Sequence, residues 1–216
     1  MNGAAKPLLS PKLDLILAAE KLFGTYGIEG VSLRRVSERA GNRNVFAAQY
    51  HFGSKDNLLE AILRYRRPLI DVHRRILLHE WGVTPETAAL EQIVRVLATA
   101  MFEQDSHDPE QARSFCRFLR SLLQFEAYSA VWERSIDAAP LTAELLQALR
   151  AHLPHLDEAL WVMRRLTLGK FMMASLADYD RDELTRHISP DRFLDDIVNV
   201  VVAGYRAPPP ACPGAS

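Results

Sequence analysis

The segment between Val31 and Leu59 constrains the fold more than any other part of the chain. Leu33 and Val36 are three residues apart, as on one face of a short helix. Gly41 then provides a stop that tolerates positive φ, and the polar stretch 42–44 (Asn-Arg-Asn) reads as a turn. This pattern predicts a first short helix over about 33–40 and a tight reversal after it.

A second short helix is predicted over about 45–51. Phe46 and Tyr50 are four residues apart on this helix, so they can form an apolar anchor; alternatively, Tyr50 turns outward and offers its hydroxyl to a backbone. Asn44 is the candidate N-cap of the helix. After Gly53, Ser54 is the candidate cap of a longer helix. Two helices around a tight turn make a helix-turn-helix, whose second helix enters the major groove of DNA.

These residues resemble the DNA-binding domain of the TetR family of bacterial transcriptional regulators. The positions that carry the resemblance are Ile16, Ala19, Leu22, Phe23 and Gly27 in the first helix, Ala40-Gly41 at the helix-turn junction, and Tyr50-His51-Phe52, Ser54-Lys55 and Leu58-Leu59 beyond it. The segment from Gly41 to His51 is one residue longer than is usual in the family, and Gln49 replaces a common tyrosine. The resemblance implies an all-α fold, with an N-terminal three-helix helix-turn-helix domain and a C-terminal helical domain for ligand binding and dimerisation.

The chain divides into five predicted parts. We expect a flexible arm over 1–9, the helix-turn-helix domain over 10–54, and a connecting fourth helix over 55–80. A helical effector-binding and dimerisation domain is predicted over 81–206, followed by a disordered, proline-rich tail over 207–216. Helix-period patterns within the second domain predict helices at about 86–104, 109–126, 142–153, 155–178 and 190–206.

The net charge of −1 hides an asymmetry that favours DNA binding by the first part of the chain. Residues 1–79 contain 13 Lys and Arg against 7 Asp and Glu, a net charge of +6. Residues 80–216 carry a net charge of −7. A basic N-terminal part can bind a polyanion while the acidic remainder faces away.

The predicted DNA-binding residues surround the turn and the second short helix: Ser32, Arg34, Arg43, Asn44, Ala47, Gln49, Tyr50, His51 and Lys55. The resemblance implies that His51 and Lys55 clamp phosphates and that Arg34 enters a groove. By side-chain geometry, Arg43 suits guanine, whereas Gln49 suits adenine.

The remaining candidates have smaller or alternative roles. Asn44 also suits adenine, and Ala47 is small enough to approach a thymine methyl group. Structural alternatives stay open: Arg34 and Arg43 could be solvated, His51 could fill a helix junction, and Asn44 could serve only as a cap.

An apolar set in the central helices is a candidate effector pocket for a hydrophobic or aromatic molecule. Its members are Met101, Phe102, Phe115, Phe118, Leu119, Trp132, Trp161 and Met163. The alternative is that these residues form an ordinary core. The sequence contains none of the common catalytic or metal-binding motifs, so we expect no enzymatic activity, cofactor or metal.

The resemblance also implies a homodimer formed by the last two long helices, which would present two reading helices to a palindromic operator. The candidate interface residues are Leu168, Gly169, Met172, Phe193, Ile197, Val200, Val201 and Gly204. Repression, with release by a small effector, is the implied mode of action. A regulator without an effector, whose second domain only dimerises or docks a protein, is the alternative; an all-α enzyme or lipid carrier is a more distant one.

The sequence also limits where the protein works. No apolar run approaches the length of a membrane span, and the N-terminus lacks a signal-peptide pattern. Two cysteines, Cys116 and Cys212, form no disulfide framework. We therefore expect a cytoplasmic protein with no membrane partner.

Overall fold

The computed structural model of the protein describes residues 10–103, 109–179, 183 and 187–210. The predicted arm over 1–9 lies outside the described residues, as do the last six residues of the predicted tail. Within the described ranges the chain forms α-helices and short 3-10 turns but no strand, which confirms the all-α class. The helices are α1 (Pro11–Tyr26), α2 (Leu33–Arg39), α3 (Ala47–Phe52), α4 (Lys55–Glu80), α5 (Leu90–Phe102), α6 (Pro109–Leu123), α7 (Ser129–Arg134), α8 (Pro140–Ala151), α9 (Glu158–Asp178) and α10 (Pro190–Arg206).

Side-chain caps set the starts of several helices. The hydroxyl of Ser10 accepts a hydrogen bond from the Leu13 amide, and Pro11 occupies the first turn of α1. Ser54 caps α4 in the same way, by accepting from the amide of Asn57. The predicted cap of α4 at Ser54 is therefore confirmed.

The three N-terminal helices pack on one another and on the first part of α4. Ile16, Ala19 and Phe23 lie on the buried side of α1, as their spacing predicts. Tyr26, which the same periodicity places in that stripe, is instead 55% exposed, and Arg35 stacks on its ring at 4.0 Å.

Helix α1 also packs along α6, so the N-terminal domain rests directly on the second domain. The crossing is close at Gly24, where an added Cβ would lie 3.0 Å from the carbonyl oxygen of Ser114. A buried ion pair holds α1 to α4 nearby: Glu20 accepts from Arg66 Nε at 2.7 Å and from Nη2 at 2.9 Å. These contacts join the DNA-side helices to the body of the protein.

The second domain surrounds α5, which packs against α4, α6, α8, α9 and α10. Helix α10 has its predicted bounds, whereas α5, α6 and α8 end two or three residues before the predicted ends, and α5 and α9 begin four and three residues after the predicted starts. Asp157, for example, accepts from the Leu160 amide and starts α9 three residues after the predicted position. No described helix is long and apolar enough to cross a membrane.

Candidate DNA-binding site

Helix α2 is closed at both ends by local hydrogen bonds. The side chain of Ser32 accepts from the Arg35 amide at the N-terminus, so Ser32 positions the helix. At the C-terminus the amides of Gly41 and Asn42 donate to the carbonyls of Glu38 and Ser37, respectively. Gly41 has a φ of 74°, which completes the Schellman motif predicted from the glycine.

The side chain of Ser37 ties the two short helices together. Its Oγ donates to the carbonyl of Leu33 at 3.2 Å and accepts from the Ala48 amide at 2.9 Å. Ser37 is fully buried, and the amide it accepts from belongs to the first turn of α3. Sequence analysis missed this residue; the available signal was a small polar residue directly after Val36 on the inner side of α2.

Helix α3 presents the opposite face from the one that its aromatic spacing predicts. Ala47, Ala48 and Phe52 are buried, whereas Phe46 and Tyr50 are 67% and 83% exposed. Phe46 and Tyr50 therefore do not anchor the helix, because the bond from the Ala48 amide to Ser37 turns the side with Ala47, Ala48 and Phe52 inward. Ala47 is packed in the core, so the expected contact with a thymine methyl group is not available in this conformation.

Asn44 forms a turn just before α3, the helix that it is predicted to cap. Its Oδ1 accepts from the Phe46 amide at 2.9 Å, which closes an Asx turn, and α3 begins only at Ala47. The predicted N-cap role of Asn44 in α3 is therefore wrong, since Phe46 occupies the cap position without a side-chain bond. Arg43 and Asn44 are both exposed on the turn, beside the outward face of α3.

Two predicted site residues are already engaged in hydrogen bonds within the protein. Gln49 donates to the carbonyl of Gly53 at the end of α3. Lys55 Nζ donates to the carbonyl of Ile28 at 3.0 Å, which holds the start of α4 to the loop after α1. A lysine ammonium has three donors, so two remain for a phosphate.

The other predicted side chains are exposed around the same surface. Arg34 pairs with Glu38 at 3.0 Å across one turn of α2 and remains open to solvent. His51 is exposed and stands edge-on to Tyr50, with the two ring centroids 5.3 Å apart. The structure thus places the turn, the outward side of α3 and the start of α4 on one connected surface.

An open groove of about 570 Å³ runs along this surface. Its lining residues are Glu29, Gly30, Val31, Ser32, Leu33, Arg35, Gln49 and Lys55. Glu29 also accepts a hydrogen bond from the hydroxyl of Tyr128 in the second domain. That acceptor and burial raise the pKa of the Tyr128 hydroxyl well above its usual range, so Tyr128 keeps its proton and remains the donor.

The predicted effector-pocket residues are mainly packed in the interior of the second domain. Met101, Phe102, Phe115, Phe118 and Leu119 are each less than 10% exposed, and the two Phe rings of α6 stack at 5.9 Å. A second cavity of about 420 Å³ lies between α6 and α9. The predicted effector-pocket residues line neither this cavity nor the groove on α2 and α3.

The three pocket candidates on later helices have different surroundings. Trp132 is half-buried and stacks with Arg67. Trp161 is buried against Tyr205, and their ring centroids are 6.1 Å apart. Met163 is 53% exposed on the outer side of α9, so the expectation that it faces an interior pocket does not hold.

Several predicted dimer contacts are used within the subunit itself. Ile197 and Val201 are buried in the core, and Phe193 packs against Phe102 and Tyr179. Leu168 fills the space beside Gly204, where an added Cβ would lie 2.7 Å from its Cδ2. Gly169 and Met172 are partly exposed, and Val200 is 44% exposed.

Exposed apolar residues on α9 form the surface that sequence analysis did not select. Val162 and Leu166 are exposed there together with Met163, and they are spaced as one helical face.

Among the described residues, no group of three His, Cys, Asp or Glu side chains could hold a metal ion.

The comparisons with known proteins agree with this geometry. Residues 15–62 match the family described as bacterial regulatory proteins, tetR family, and this match covers α1 to α3 and the start of α4. No curated protein matches the chain.

Solved structures with the same fold cover nearly the whole chain. A provisionally assigned tetR family transcription regulator from Shewanella sp. PV-4 is 15% identical, with a TM-score of 0.62 over 89% of this chain and 96% of that one. The fatty acid degradation regulator FadR from Bacillus halodurans is 13% identical, with a TM-score of 0.57 over 88% and 97%. NalD, the secondary repressor of a multidrug efflux pump in Pseudomonas aeruginosa, is 21% identical, with a TM-score of 0.55 over 90% and 96%. The resemblance of the N-terminal residues to the TetR family of bacterial transcriptional regulators is thereby confirmed over 15–62, and the chain as a whole has the fold of the solved regulators.

Proposed function

We propose that the protein is a cytoplasmic, dimeric repressor that binds a palindromic operator and is released by a small effector with an apolar or aromatic body. The observation that carries the proposal is the outward face of the helix-turn-helix. Phe46 and Tyr50 project from α3 beside the exposed Arg43 and Asn44 of the turn. A solvent-exposed face with aromatic and hydrogen-bonding side chains suits contact with base edges and sugars in a major groove.

The phosphate contacts would come from the flanks of that face. Lys55 retains two free N–H donors at the start of α4, and His51 and Arg34 are exposed on either side. The basic N-terminal part of the sequence supplies the long-range attraction to DNA. In this proposal residues 10–54 bind the operator, 55–80 connect, and 81–206 sense and dimerise.

Dimerisation is supported by the apolar face of α9. Val162, Met163 and Leu166 expose large side chains on one side of this helix, and Val200 exposes one on α10. Large exposed apolar residues that share a helix face are typical of a protein interface. A two-fold axis there would place two copies of α3 in successive major grooves, about 34 Å apart.

The effector and the repressor mode rest on the link between domains and on a relative. Helix α1 is held to α6 at Gly24 and to α4 through Glu20, so a change in the second domain can reach the reading helix. NalD, which shares the fold, is itself a repressor. Effector and operator binding would then oppose each other reciprocally.

Genome-wide immunoprecipitation of the bound DNA tests the proposal. The wild type should recover a sharp palindromic motif, and an Arg43→Ala, Lys55→Ala double variant should lose it. Arg75→Ala, which removes an exposed charge from the far part of α4, is the matched control and should keep the motif. Diffuse recovery without a motif, unchanged in the double variant, would contradict the proposal.

A further inference from the structure

One arginine on the buried side of α4 has no hydrogen-bond partner among the residues that the structure describes. Arg67 on α4 is 8% exposed, and its Nη2 is buried without a partner among the described residues. The preceding Arg66 provides the contrast, because Glu20 accepts from two of its nitrogens. A buried N–H group without an acceptor loses its hydration and gains no hydrogen bond in return.

The charges around Arg67 leave one positive charge unbalanced. Asp71, one turn along α4, accepts from Arg74 at 3.0 Å and from the Leu141 amide at 3.0 Å. Thr142 also donates to this carboxylate, at 3.4 Å. Asp71 is therefore occupied by Arg74, and two buried arginines share a single buried carboxylate. Asp137, the other acidic group acting on Arg67, is exposed and bound to Arg64.

The guanidinium of Arg67 lies over an aromatic ring, an arrangement that suits a planar acceptor at its edge. Its central carbon lies 4.0 Å from the centre of the Trp132 ring. Stacking on an aromatic ring uses the face of the guanidinium and leaves its edge N–H groups free. Burial and the neighbouring Arg74 lower the pKa of Arg67 to about 10, so the group stays charged at neutral pH.

We propose that Arg67, stacked on Trp132, binds the carboxylate of the effector. This proposal rests on the proposed function and names the chemical class of its ligand. A carboxylate forms paired hydrogen bonds with the edge of a guanidinium, and its single charge matches the one excess positive charge. A phosphate would bring nearly two negative charges and leave the site unbalanced in the other direction. Buried apolar residues on the three helices that meet there, Ile70, Val131 and Leu141, suit the effector's apolar body.

The position of Arg67 also connects the ligand to the DNA-binding domain. Arg67 directly follows Arg66, which holds α4 to α1 through Glu20. A carboxylate bound to Arg67 therefore acts on the turn of α4 that anchors the helix-turn-helix domain.

Thermal unfolding and calorimetric titration of the full chain test this site with defined probes. The probes are acetate, benzoate and octanoate, each beside its neutral amide, and inorganic phosphate. At least one carboxylate should raise the melting temperature of the wild type, whereas its amide and phosphate should not. Arg67→Met should weaken the binding of that carboxylate by at least about tenfold, because one partner of a buried charge pair is lost. Arg64→Met, which removes an exposed arginine of the same helix, should bind it like the wild type.

Two further readouts keep the proposal separable from folding defects and from the proposed function. Without ligand, Arg67→Met should be at least as stable as the wild type, because an unpaired buried charge has been removed. If none of the three carboxylates binds, or if carboxylate and amide bind equally, the carboxylate site is wrong. Operator binding by the ligand-free protein is measured in a separate experiment. If the ligand-free protein binds no operator, the regulator proposal is contradicted, whereas the test of carboxylate binding at Arg67 is unaffected.

Discussion

Ser37 Oγ accepts a hydrogen bond from the Ala48 amide across the turn of the helix-turn-helix, at 2.9 Å. The same hydroxyl donates to the Leu33 carbonyl, so both of its roles are satisfied in a fully buried position. A single side chain thus fixes the distance between α2 and the reading helix.

Replacing this hydroxyl should weaken the DNA-binding domain. We expect Ser37→Ala to lower the free energy of unfolding by about 1–3 kcal/mol, because the Ala48 amide becomes a buried donor without an acceptor. Urea denaturation measures the loss, and hydrogen exchange at the Ala48 amide should speed up. Ser175→Ala is the control, since the Ser175 hydroxyl bonds only to Phe171 one turn earlier in its own helix. Equal effects of the two substitutions would contradict the role assigned to Ser37.

The local sequence of the helix-turn-helix predicts its turn and its caps, but it does not predict which side of α3 is buried. Gly41 and Ser54 were placed correctly because a positive φ and an N-cap depend on neighbouring residues only. The face of α3 was not, because the sequence pattern favours large apolar residues as anchors. The inner side of α3 instead carries Ala47, Ala48 and Phe52, and the Ala48 amide is bonded to Ser37 of α2. Ser37 lies eleven positions before Ala48, and the apolar periodicity of α3 carries no information about a contact over that separation.

The same distinction explains the interior of the second domain. Arg66 and Arg67 are adjacent charged residues of α4, yet both are buried. Their burial depends on Glu20 in α1 and on Trp132 in α7, which are 46 and 65 positions away in the sequence. Long-range partners of this kind are set by tertiary packing, so a single sequence gives no direct signal for them.

The Glu20–Arg66 pair should be among the most sensitive contacts in the protein. We expect Glu20→Gln to reduce the free energy of unfolding by about 3–5 kcal/mol, because it leaves a buried cation without a charged partner. Glu38→Gln breaks the exposed pair with Arg34, which is at 3.0 Å, and should cost no more than about 0.5 kcal/mol. Urea denaturation of the two variants in parallel gives the comparison. A cost for Glu20→Gln as small as that of Glu38→Gln would show that the buried pair is not essential.

The crossing of α1 and α6 should depend on the absence of a side chain at Gly24. An added Cβ would lie 3.0 Å from the Ser114 oxygen and 3.1 Å from Arg117 Cβ, and the first of these is backbone that cannot move alone. We expect Gly24→Ala to destabilise the protein by about 1–3 kcal/mol through overpacking, despite alanine's better helix propensity. Chemical denaturation measures this change.

A second helical glycine serves as the control for that substitution. Gly169 in α9 has nothing within 4 Å of an added Cβ within the subunit. We expect Gly169→Ala to be neutral or to stabilise by up to about 1 kcal/mol, as helix propensity alone predicts. If both substitutions stabilised the protein, the close approach at Gly24 would be wrong.

Cys116 should be chemically silent in the folded protein. Its thiol is buried and donates to the Met101 carbonyl at 3.6 Å, and burial, with a smaller contribution from Glu20, raises its pKa from 9.0 to about 12. The thiolate is the reactive form, so its fraction at pH 8 should fall by about a thousandfold. In a Cys212→Ser variant, Cys116 is the only cysteine of the chain. Mass spectrometry should then show negligible alkylation by iodoacetamide in buffer at pH 8 and complete alkylation in concentrated guanidinium chloride.

The same pKa shift fixes how stability should depend on pH at this residue. The folded thiol keeps its proton up to about pH 12, whereas the unfolded thiol loses it near pH 9, so the unfolded state releases the proton first. The contribution of Cys116 to stability is therefore fully present below about pH 9 and is lost as the pH rises toward 12. Cys116→Ala should flatten this part of the pH–stability curve relative to the Cys212→Ser background. Rapid alkylation of the native protein at pH 8, or identical curves for the two proteins above pH 9, would contradict a buried, protonated thiol.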